Sequence, residues 1–242
     1  MIRSINSINK SMNVLQKKQE NTGANIANTN TSGYKFQDIT QTTTKNHTMI
    51  NHTGKMDQRK ELGKWTYGTE VDEIVQNFDQ GSLVQTEDPL DFAIEGRGFF
   101  TLALNDGQRA YTRNGNFLID EENKLVTMEG NNVVGLDTNG NKSEVYINQD
   151  GKIRDGMELL ITDFEDYTQL KRVGETLFTS PNSQGIEIEK KATQGYLEMS
   201  NVIIADEMVK LIEIAREFEA NQKLLHTSDE TLNKAVNEIG RV

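Results

Sequence analysis

The chain has 242 residues, no cysteine, 35 % hydrophobic residues and a formal net charge of −11. Without cysteine there are no disulfides and no thiolate metal sites, and the acidic balance argues against general nucleic-acid binding, which selects for clustered Lys and Arg. Hydrophobic content this low for the length implies that some apolar surface is completed by partners.

In chain order, the first predicted element is a helix. Ile5, Ile8, Met12, Leu15 and Ile26 fall on the alternating three-and-four spacing of an a/d stripe. It should end near Asn28, because Asn28-Thr29-Asn30-Thr31-Ser32-Gly33 combines poor helix formers with side chains that compete for the backbone. The first ten residues lack the apolar stretch of a secretory signal, and no apolar run approaches the ~20 residues that span a bilayer. The expectation is a cytoplasmic chain, or one exported without a cleaved signal.

Residues 36–80 read as a polar linker: 37–64 are rich in Thr, Asn, Gln and Lys and without strand-like alternation, so the segment is expected to be extended or ordered by a partner, with short β-type runs beginning near Val71. Residues 81–199 read as a β-rich domain. Short β-type runs alternate there with turn signals at Asn105-Asp106-Gly107, Asn114-Gly115, Gly130-Asn131-Asn132, Asn139-Gly140, Asp150-Gly151 and Asp155-Gly156, the spacing of antiparallel hairpins. Residues 200–242 read as a second helix, capped at Ser200 or Asn201 and stopped at Gly240. It carries Ile204, Leu211, Phe218, Leu225, Leu232 and Ile239, each seven positions after the last, with Ile214, Asn221, Ser228 and Ala235 on the adjoining line. The fold expected is α+β: a mainly antiparallel β domain in mid-chain, with long N- and C-terminal helices forming a coiled-coil-like assembly layer. Residues 1–35 carry a net +4 and residues 200–242 a net −3. Opposite signs beside apolar seams favour pairing of one terminal helix with the other, within a molecule or between neighbours.

Candidate chemistry is thin. Gly96-Arg97-Gly98 lacks the third glycine and following helix of a phosphate loop and reads as a bulge or hairpin. Asp137, Asn139 and Gly140 resemble part of a calcium loop but have Asn148 where the bidentate Glu belongs, so a β-turn is expected. His226, Ser228 and Asp229 are triad residue types, yet neighbours on one helix do not converge as a triad must. His47 and His52 have no ligand partners at metal spacing, and Asp88 and Asp91 flank Pro89 as turn caps. No catalytic residue, cofactor, metal, nucleic acid or small-molecule substrate is expected.

Four blocks resemble the axial proteins of the bacterial flagellum, the rod and hook proteins of the basal body. Ala24-Asn25-Ile26-Ala27-Asn28-Thr29-Asn30-Thr31-Ser32-Gly33-Tyr34-Lys35 is similar to the family's N-terminal signature. Gly81-Ser82-Leu83 with Asp88-Pro89-Leu90-Asp91-Phe92-Ala93-Ile94-Glu95-Gly96-Arg97-Gly98-Phe99-Phe100 resembles its central motif, and Tyr111-Thr112-Arg113-Asn114-Gly115-Asn116-Phe117 follows. Gln194-Gly195-Tyr196-Leu197-Glu198-Met199-Ser200-Asn201-Val202 leads into the last helix as the C-terminal signature does. The resemblance implies a structural, non-catalytic rod subunit in a helical tube with other rod and hook proteins. It implies paired terminal helices lining the tube, export in unfolded form by the flagellar export apparatus without signal cleavage, and a role in transmitting motor torque, with distal rod favoured over proximal. The competing expectation is a soluble oligomeric coiled-coil module with a β ligand-binding domain.

Overall fold

The computed structural model describes residues 2–52, 59–104, 107–148, 151–181, 185–188 and 192–239. The expected turns at 105–106 and 150, and the stop at Gly240, lie outside them. The chain is α+β and divides into two compact units: Met1–Ile26 with Gln37–Val75 and Ile204–Val242, and Ala27–Phe36 with Gln76–Ile203.

The first unit contains the two terminal helices. α1, Ile2–Ala27, has 26 residues and is about 39 Å long, the shorter of the pair; α2, Ile204–Lys234, has 31 and spans about 46 Å before a π turn at Ala235–Ile239. Residues 36–80, expected as a polar, extended linker, hold strands. Gln37–Thr43 pairs with Thr69–Gln76, and His47–His52 with Arg59–Trp65. Their composition hid them, because these two-stranded ribbons are exposed on most of both faces. In Gln37–Thr43 only Ile39 is buried, so no apolar alternation is imposed on the rest. Thr44 Oγ1 closes the turn by accepting the Tyr67 N–H at 3.0 Å and donating to the Gly68 carbonyl at 3.2 Å.

The second unit is the antiparallel β region. Its largest sheet runs in the order Lys171–Arg172, Leu177–Thr179, Arg109–Thr112, Phe99–Ala103, Asn132–Leu136, Leu125–Thr127, Phe117–Ile119. Phe99–Ala103 also pairs with Ile161–Asp163. Alternation along this strand divides the core. Phe100 and Leu102 point into a cluster with Phe92, Ile94, Phe117, Leu125, Val133, Val145 and Ile161, whereas Phe99 packs with Tyr111, Phe164, Leu170 and Phe178. Hairpins do form at Gly130 and Gly140. Asn114-Gly115 does not make the expected hairpin: Arg109–Thr112 pairs with Phe99–Ala103 and Leu177–Thr179, and Phe117–Ile119 pairs with Leu125–Thr127 instead. The glycine is there for close approach, since the Gly115 carbonyl accepts the Phe92 N–H at 3.0 Å.

Candidate functional site

The expected assembly seam lies in the first unit. On α1, Val14 and Leu15 are buried and Ile5, Ile8, Met12 and Ile26 are half-buried on the same face. On α2 the least exposed positions are Glu207, Lys210, Leu211, Ile214, Phe218, Asn221, Ser228 and Leu232, followed by Ala235 in the π turn; apart from Lys210 they are spaced by four and three, with a gap at exposed Leu225. Its centre is displaced from the seven-residue line. Ile214 is 8 % exposed and Glu207 1 %, while Ile204 and Leu225 are exposed; the Ile239 side chain lies outside the described residues.

Two polar members of that line bond to α1. Asn25 Nδ2 donates to Glu207 Oε2 at 2.9 Å, and Asn221 Nδ2 to Ser11 Oγ at 3.3 Å. The two contacts are fourteen residues apart on each helix and in opposite chain senses, so α1 and α2 run antiparallel. Asn25 also ties the first ribbon to the helices, donating to the Gln37 carbonyl at 2.8 Å and accepting its N–H at 3.3 Å. Lys18 of α1 lines a groove of about 220 Å³ with Lys210, Glu213 and Glu217 of α2 and with Asp38, so both signs of charge border it. Beyond this line α2 leaves Met208 and Ile212 exposed, at 52 % and 53 %, beside Ile204 and Val209.

In the second unit the signature blocks converge on a buried charge cluster. Lys35 Nζ donates to Glu198 Oε1 at 2.6 Å and to the Asp79 carbonyl at 2.7 Å. Arg113 Nη1 donates to Glu198 Oε2 at 2.9 Å, Arg113 Nη2 to the Gly96 carbonyl at 2.6 Å, and the Gly81 N–H to Glu198 Oε1 at 3.0 Å. The side chains of Lys35, Arg113 and Glu198 are 1 %, 3 % and 0 % exposed. Gly33 makes the approach possible. At φ +69° it donates its N–H to the Glu198 carbonyl at 2.7 Å, and a Cβ there would stand 2.2 Å from Asn114 N.

Burial pushes the Lys35 ammonium below its ordinary value of 10.5, against the attraction and hydrogen bond of Glu198 and with repulsion from Arg113; Asp79 adds attraction. The cluster holds two cations and one carboxylate, so losing one proton relieves it. With the folded pKa below the unfolded one, the unfolded chain retains the proton through the window between them, and stability rises with pH there. Lys35→Met is expected to remove this rise. Denaturant unfolding of both chains across the alkaline range below pH 10.5 measures it, and parallel stability profiles would contradict it.

The other signature residues are structural ties. Asn28 accepts at its carbonyl from the Thr31 N–H and at Oδ1 from the Thr31 hydroxyl, ending α1. Asp88 Oδ1 accepts the Leu90 N–H after Pro89, and Asp91 Oδ1 accepts Asn116 Nδ2 at 2.8 Å. Gly96 and Gly98 form the bend before buried Phe99 and Phe100, and Leu90 packs at the core's edge. Ser200 and Asn201 do not cap α2, which starts at Ile204. Asn201 Oδ1 accepts the Phe36 N–H at 2.7 Å while its Nδ2 donates to the Asn77 and Asp79 carbonyls, and Ser200 Oγ accepts the N–H of buried Val202. Asp137 Oδ1 is held by the Asn139 and Asn141 N–H groups in a turn, and His226 sits on the exposed side of α2 near Glu230. His47 packs edge-on to Tyr67, and the His52 side chain lies outside the described residues.

The cluster was not singled out from the sequence, although its signal was visible. Lys35, Arg113 and Glu198 are each a lone charge in a block otherwise apolar, small or uncharged, a place where an unpaired charge is poorly tolerated.

Three family descriptions match the chain: Flagella basal body rod protein at residues 10–35, Flagellar hook protein FlgE/F/G D1 domain at 93–155, and Flagellar basal body rod FlgEFG protein C-terminal at 193–238. Each matched stretch supplies one member of the buried cluster. The chain is 31 % identical to the flagellar basal-body rod protein FlgG of Bacillus subtilis (strain 168), covering 98 % of this chain and 99 % of that protein. It is 30 % identical to the flagellar basal-body rod protein FlgF of Caulobacter vibrioides over 94 % of each. It is 26 % identical to the flagellar hook-basal body complex protein FlhO of Bacillus subtilis over the whole of both.

Proposed function

This chain belongs to the flagellar basal-body rod protein family, and from that premise we propose that it is a structural subunit of the distal rod, self-assembling into a helical tube that transmits motor torque. It works through rigid contacts and without catalysis, beside other rod and hook proteins, and reaches its site through the flagellar export apparatus without a cleaved signal. The segments 1–35, 36–80, 81–199 and 200–242 serve as assembly helix, extended connector, β domain and second assembly helix. The observation that carries this reading is the apolar surface that α2 leaves in water. Met208, Ile212 and Ile204 form a neighbouring set on a helix already paired with α1, and an exposed patch of this kind marks an association surface. Contacts between unlike surfaces extend as an open helical array unless the rotation closes.

Concentration-dependent sedimentation of the full chain, beside a version spanning 27–203, tests this. The shorter version keeps residues 27–36, because Lys35 belongs to the second unit. Open-ended growth of the full chain alone is expected, with filaments by electron microscopy. A sharp, saturating oligomer would instead identify a closed binding module.

A further inference from the structure

One side chain holds the second unit's distant segments together. Glu198 accepts from Lys35, Gly81 and Arg113 through its carboxylate and from Gly33 through its carbonyl. Its strand, Tyr196–Glu198, pairs with Leu83–Gln85, and Ala192–Gln194 pairs with Phe92–Ile94. The buried members of both apolar clusters nevertheless come from residues 92–178, all earlier in the chain. Apolar collapse by itself need not wait for residue 198. The burial of Lys35 and Arg113 must, because an ammonium and a guanidinium leave water only at great cost without a counter-charge.

We infer that Glu198 is a folding latch, so that a chain presented from its N-terminus completes the second unit only once residue 198 is available. Until then the segment around Gly33 and Lys35 does not dock on Arg113 and Asn114, and the unit stays open. Its use, keeping the unit unfolded while the chain is threaded through a narrow channel, rests on the export reading above; the latch itself does not.

The test uses the natural sequence held on the ribosome at increasing lengths and probed by limited proteolysis. Residues 27–190 are expected to become resistant only when Glu198 has left the tunnel. In the variant Lys35→Met/Arg113→Leu/Glu198→Leu, which has no buried charge to compensate, resistance should begin at a shorter emerged length. Resistance of the natural chain with Glu198 still enclosed would overturn the inference, as would identical onsets in the two chains. If the triple variant fails to fold, the released full-length E198Q chain decides. Gln keeps the shape but supplies no charge, and a lowered midpoint of the cooperative aromatic unfolding transition is expected, whereas a wild-type midpoint would refute the latch. No secretion apparatus is present in either arm, so failure of the export reading leaves both results standing.

Discussion

Gly115→Ala is expected to abolish cooperative folding of the second unit. A Cβ at Gly115 would lie 1.6 Å from the Phe92 carbonyl oxygen and 2.7 Å from its carbon, with the Phe100 ring at 3.2 Å. Backbone cannot yield as the end of a flexible side chain does. The Phe92 N–H to Gly115 carbonyl bond and the Asp91–Asn116 bridge hold the two stretches together, and Phe92 and Phe100 are both buried in the larger cluster. Relief would require moving the Phe92–Ile94 strand out of a close-packed core. Gly23→Ala is the control. Gly23 lies in α1, where an added Cβ would meet nothing within 4 Å, and Ala there should stabilise the helix by about 0.5–1 kcal/mol. Thermal unfolding followed by near-ultraviolet circular dichroism distinguishes the two, and a native-like transition in Gly115→Ala would contradict the packing described.

Glu198→Leu is expected to destabilise the second unit by about 3–5 kcal/mol, the range for breaking a buried ion pair by removing one partner. The cost comes from what is left behind. Lys35 and Arg113 would remain enclosed without a carboxylate, and the Gly81 N–H would lose its acceptor. Against a typical domain stability of about 5–15 kcal/mol, this is a large fraction. Replacing all three charges by apolar side chains should recover much of the loss, because the desolvation cost disappears with the charges. Denaturant midpoints of wild type, single and triple variants measure both effects. A triple variant no more stable than Glu198→Leu would show that shape and the Gly81 contact, not charge, dominate.

Legibility followed the period of the pattern. Both helices were readable because packing on one face writes an apolar repeat, and α1 ends at Ala27, beside the predicted stop at Asn28. Phe100 and Leu102 alternated as a strand must, and they fill the core. The strands between Gln37 and Trp65 were not readable, since ribbons wetted on both faces leave no alternation to detect. Asn201 was misread for a related reason. Before a helical run, a cap is the local use of Asn, but this side chain bonds to Phe36, Asn77 and Asp79, up to 165 residues away.

The amino-acid sequence by itself determined the family blocks, the α+β class, the two terminal helices and their opposite charge, because each is a local or periodic property of the chain. Tertiary structure alone decided that α1 lies antiparallel to α2 with Asn25 on Glu207 and Ser11 on Asn221, and that Gly115 is needed for proximity instead of for a turn. It also decided that Lys35, Arg113 and Glu198 form one buried cluster. The physical reason is separation: Gly115 and Phe92 are 23 positions apart and the side-chain contacts join residues 85 to 210 positions apart, where no short-range pattern constrains which group meets which.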